Sequence, residues 1–99
     1  MRSLGFLFVL VFYLCACSTE VGGRKILSGS DMYKVRCVSC HGTDGRMGMN
    51  GAIALPASTL SVEQRISVVT NGRNIMPAFT GLMSQSEIKA VVEFTMTLE

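Results

Sequence analysis

Polar and apolar positions repeat at helical spacing in three stretches of the chain. Ser28 and Asp31 open the first, which is predicted to run to about Val38 and to project Tyr33, Cys37 and Cys40 on one face. Ser61-Val62-Glu63-Gln64 has the spacing of a capping box, and Val62, Ile66 and Val69 follow at i, i+4 and i+7 before Asn71-Gly72 stops the second helix. Ser84 and Glu87 cap the third. Its inner stripe is Ile88, Val91, Val92 and Thr95, with Phe94 and Leu98 extending the face. No segment alternates with period two, so the predicted class is all-α.

A fourth apolar stretch is of another kind. Leu4 to Leu14 is broken only by Gly5 and follows a single positive charge at Arg2. As a helix, Leu4 to Ala16 spans about 20 Å, short of the roughly 30 Å hydrocarbon core of a bilayer. It reads as an export signal, with an uncleaved anchor as the alternative. The run ends in Leu14-Cys15-Ala16-Cys17, which resembles the bacterial lipoprotein signal: Leu lies three places before Cys17, with small residues between. Cys15, preceded by bulky Phe12, Tyr13 and Leu14, does not fit. The resemblance implies cleavage after residue 16 and a lipid on Cys17. Residues 17–27 then form a flexible tether to a domain at 28–99. The expected location is the periplasmic side of a bacterial membrane, lipid-anchored, or soluble periplasm if the signal is an ordinary one.

Without the first sixteen residues the charge falls from +2 to near +1, and no block of like charge remains to grip nucleic acid. The remaining aromatics are Tyr33, Phe79 and Phe94. So thin a core calls for a staple.

Cys37-Val38-Ser39-Cys40-His41 supplies a candidate and contains the single histidine of the chain. On a helix, positions i, i+3 and i+4 share a face, so both thiols and the imidazole can meet one flat ligand. Thiols at this spacing can add across the vinyl groups of a haem, which places the neighbouring imidazole under the iron. Zinc is a rival reading, but the domain holds no further Cys or His as fourth ligand. A dithiol redox motif is another, but no strand precedes Cys37.

The chain resembles the small class I c-type cytochromes. The resemblance rests on the attachment motif, on Gly29 and Tyr33 eight and four places before Cys37, on Phe94 placed to pack against Gly29, and on Asn74-Ile75-Met76-Pro77-Ala78-Phe79 downstream. It implies three main helices wrapped around one covalently bound haem c, with Cys37 and Cys40 in thioether links and His41 as an axial ligand. It implies no catalytic residue and no small-molecule substrate. The implied function is one-electron transfer to redox partner proteins through brief contacts, below about 1,200 Å².

The second axial ligand is expected to be Met76. Met1 leaves with the signal and Met32 lies on the attachment helix. Met47 and Met49 follow His41 too closely to pass round a ring edge, and Met83 and Met96 read as core filler. Met76 lies in a loop after Gly72, with Pro77 fixing the backbone beyond it. His/Met ligation fills both faces and favours the reduced iron. A permanent subunit of a larger oxidase or reductase would share this chemistry, whereas an open-site haem peroxidase or gas sensor would lack the second ligand.

Between His41 and Pro56, glycines at 42, 45, 48 and 51 are expected to let backbone approach the porphyrin. Relatives often carry Gly-Pro-x-Leu in this loop, with the proline carbonyl accepting from the axial imidazole. Here Gly51-Ala52-Ile53-Ala54-Leu55 stands instead, which points to the Ala52 carbonyl or a neighbour.

Overall fold

The computed structural model describes Gly23 and residues 25–99. The predicted signal segment and Cys17 lie outside the described residues, as does the tether apart from Gly23 and residues 25–27. Helix α1 (Gly29–Arg36) starts where the sequence places its cap: Ser28 is extended, and its Oγ accepts from the Asp31 amide at 3.2 Å. Such a cap is worth about 1 kcal/mol.

The first helix does not continue to Val38 unbroken. Cys37, at φ −114°, caps the end of α1, and a separate turn, α2 (Val38–His41), carries Cys40 and His41. The Cys37 carbonyl accepts from the amides of both Cys40 (3.2 Å) and His41 (3.0 Å), which winds α2 tightly around the motif. Tyr33, buried on α1, donates its hydroxyl to the Gly42 carbonyl at 2.7 Å and so ties the end of α2 back to α1.

Helices α3 (Val62–Asn71) and α4 (Gln85–Thr95) each open on a complete capping box, at Ser61 with Gln64 and at Ser84 with Glu87. The inner stripe of α4 is buried as expected, and the side chains of Ile88, Val91 and Val92 are essentially solvent-free. Each such residue contributes about 1.5–3 kcal/mol. Helix α4 packs on α1 at Gly29, where a Cβ would fall 2.2 Å from the Ala90 carbonyl oxygen and 3.2 Å from Phe94 Cβ. Only glycine permits that approach. Phe94 then meets Tyr33 with ring centroids 5.2 Å apart.

Two expectations are corrected. Met83 is core, but Met96 sits at the C-cap of α4 with 46% of its surface exposed, because the stripe ends at Thr95. Of the four loop glycines only Gly51 lines the central cavity. All four have positive φ, and Gly42 and Gly45 face Met47, Leu55 and Leu98, so they shape the loop's own folding.

Beyond α3 the chain doubles back. The Phe79 amide donates to Val69 O at 2.9 Å and Phe79 enters the core. Among the described residues there are isolated bridges but no strand, and no helix is long and apolar enough to cross a membrane.

Candidate functional site

A cavity of about 390 Å³ opens between α2, the segments either side of α3, and α4. It brings together Cys37, Cys40, His41 and Met76, four side chains that the sequence separates by up to 39 positions. Val69, Phe79, Val91 and Val92 give its wall an apolar character.

Cys37 and Cys40 are unpaired thiols, each half-buried. Burial first, then the neighbouring Cys40, pushes the Cys37 thiol up to about 11. A dithiol poised for exchange needs the opposite shift. Nor do the two sulfurs and the imidazole converge on a point: among the described residues no group of three or more His, Cys, Asp or Glu is spaced to hold a metal ion.

His41 is placed by the tight turn of α2. Burial lowers its pKa, and the Ile53 backbone acts in the opposite direction. Raising a histidine's pKa requires an acceptor, so it is the Ile53 carbonyl that faces the ring, one residue beyond Ala52. Nδ1 is buried and makes no fully formed hydrogen bond. That carbonyl is placed to act on the orientation of the ring.

Met76 is held by backbone. Its amide donates to Arg73 O at 3.0 Å and its carbonyl accepts from the Arg73 amide at 3.1 Å. Gly72, at φ 73°, is pressed against this loop: a Cβ there would lie 2.6 Å from Met76 O and 2.8 Å from Ala78 N. Asn74 takes φ 53° to complete the turn. Met49 lines the same cavity from the other loop, with half of its surface exposed. Met47 does not line it.

Sequence reasoning missed Arg65. It lines the cavity and is only 8% exposed. The signal was present: position 65 falls with Val62, Ile66 and Val69 on one face of α3, and a charge on an apolar stripe calls for an explanation.

The family model described as "Cytochrome C oxidase, cbb3-type, subunit III" matches residues 24–94. The chain is 32% identical over 75 residues to cytochrome c6 of Leptolyngbya boryana, covering 70% of this chain and 87% of that one. With cytochrome c6 of Microcystis aeruginosa it shares 34% over 74 residues, covering 69% and 90%. Among solved structures, the KustC0563 c-type cytochrome superposes with a TM-score of 0.67 at 24% identity, covering 74% of this chain and 99% of that one. Cytochrome c6 of the diatom Phaeodactylum tricornutum superposes at 0.55 with 28% identity, covering 68% and 85%. The family match takes in every helix and the whole cavity except the end of α4, and on that extent the chain belongs to the small class I c-type cytochromes.

Proposed function

We propose that Cys37 and Cys40 hold the single haem c of this electron-transfer protein through thioether bonds, and that His41 and Met76 ligate its iron. The observation that carries this reading is one apolar cavity whose wall presents two unpaired thiols, an imidazole and a thioether. That donor set fits a covalently bound haem. When bound, the haem supplies an iron that gains or loses one electron without bond breaking. The protein's part is to fix the ligands. Tyr33 and the Cys37 carbonyl hold α2, the Ile53 carbonyl orients His41, and the Arg73 pairing presents the Met76 sulfur. A thioether is a soft, neutral donor and favours the reduced iron. Trypsin tests the attachment: cleavage after Arg36 and Arg46 isolates both cysteines and His41 in one peptide, which carries the mass of one haem. A peptide of unmodified mass refutes it.

The N-terminal segment is assigned the division 1–16 signal, 17–27 tether and 28–99 cytochrome domain, with a lipid on Cys17. Support comes from the Leu14-Cys15-Ala16-Cys17 pattern and the polar, glycine-containing stretch after it. This places the domain beside a membrane on the periplasmic side. An intact mass beginning at residue 17 with added acyl chains tests it; a mature chain starting elsewhere without lipid contradicts it.

One observation favours a second reading, a subunit of a larger oxidase, since the matching family model is described as an oxidase subunit. The cytochromes c6, of which the chain covers 87–90%, favour a separate carrier. Co-purification at fixed stoichiometry after detergent extraction supports the subunit; a monomeric cytochrome supports the carrier.

A further inference from the structure

Arg65 is a cation in the cavity wall with all of its hydrogen-bonding capacity spent on neutral oxygens. Nε donates to Leu60 O at 3.3 Å. One terminal nitrogen donates to Thr95 O at 3.3 Å and to Thr95 Oγ1 at 3.0 Å, the other to Leu55 O and Ser58 O at 3.2 Å each. A guanidinium has five N–H groups, and these five bonds use them all. Among the described residues no carboxylate pairs with Arg65, and no Asp or Glu lines the cavity.

Burial of a charge is costly without an opposite partner. The five carbonyl and hydroxyl dipoles offset part of that cost while leaving the net charge intact. The fork has no N–H left for an anionic group of a ligand, so it can act on one only through its field.

We infer that Arg65 is a fixed positive charge that raises the reduction potential of the bound haem. An electron delivered by a partner protein lowers the positive charge at the iron by one. A neighbouring cation buried in an apolar wall favours that lower-charge state. The same side chain also ties the 55–60 segment to the end of α4, and the test must separate the two roles. The inference rests on the haem-site reading above.

The experiment is potentiometric titration of the haem-loaded protein and its Arg65→Gln and Arg65→Lys variants, with haem content and the far-red sulfur-to-iron band recorded on each. The expected result is a lower midpoint potential for Arg65→Gln and a potential near the parent's for Arg65→Lys, the band being kept in both. Equal shifts in the two variants, or none in either, overturn the charge role. Should Arg65→Gln fail to fold, Thr95→Asp places a carboxylate on the guanidinium with the fork in place. It is expected to lower the potential, and an unshifted value overturns the inference. Absence of haem or of the band in the parent protein refutes the haem-site reading itself, so the two failures are distinguishable.

Discussion

Met76 and Arg73 exchange two backbone hydrogen bonds, at 3.0 and 3.1 Å, across a turn of only two intervening residues. The sulfur offered to the cavity is thus carried on a closed backbone loop, wedged against α3 through Gly72, and needs little ordering on binding.

Met76→Ala is expected to abolish the far-red sulfur-to-iron band and to lower the midpoint potential, while Met49→Leu leaves both in place. Absorption spectra and redox titration of the two variants decide the assignment. A band lost from Met49→Leu and kept in Met76→Ala would transfer the ligand role to Met49.

Gly72→Ala forces a side chain into a left-handed backbone and against the Met76 carbonyl. A loss of about 1–3 kcal/mol is expected, together with a weakened sulfur-to-iron band. Thermal melts monitored in the far-red and far-ultraviolet should show the band failing before the helices.

Burial, followed by the charges of Cys37 and Asp44, pushes the Tyr33 phenol up to about 12 from its ordinary value of 10. The unfolded chain therefore releases this proton first. Stability falls as the pH climbs from 10 towards 12 and is unaffected below that window. A thioether at Cys37 removes that residue's charge, which leaves a loss on the order of 1–2 kcal/mol in the holoprotein. Alkaline denaturation curves should show it, and Tyr33→Phe should flatten the slope while forfeiting about 1 kcal/mol for the bond to Gly42.

Among the described residues the core contains few aromatics and surrounds a cavity of about 390 Å³. Chain lacking haem is expected to be largely unfolded, since the apolar wall then faces water. Circular dichroism on heating should show no cooperative transition; a sharp one contradicts this.

The elements most legible in the sequence were those governed by neighbours in the chain. Ser28, Ser61 and Ser84 cap because the hydroxyl of an extended residue at a helix start reaches the free amide three places on, and the α4 stripe follows from 3.6-residue periodicity. The Cys-x-x-Cys-His turn, the place of Met76 on the cavity wall and the Gly29 contact with α4 were legible through the family pattern. What escaped depends on tertiary neighbours. The break at Cys37 is tied to Tyr33 reaching Gly42, which periodicity does not report. The carbonyl facing His41 belongs to Ile53, a neighbour of Ala52; the sequence narrows the choice to that stretch, and the positive-φ glycines and Asn50 shape the loop that settles it. Arg65 is buried because carbonyls from Leu55, Ser58, Leu60 and Thr95 gather around it. The apolar stripe of α3 marks the position as unusual, but no local rule foretells the carbonyls that gather there.

The most direct test of the account is extraction of the purified protein with acidified acetone, followed by intact mass and a reduced absorption spectrum of the protein fraction. Colour that stays with the polypeptide, and a mass greater by one haem, is the predicted result. Colour that passes into the solvent, leaving a chain of unmodified mass, would contradict it.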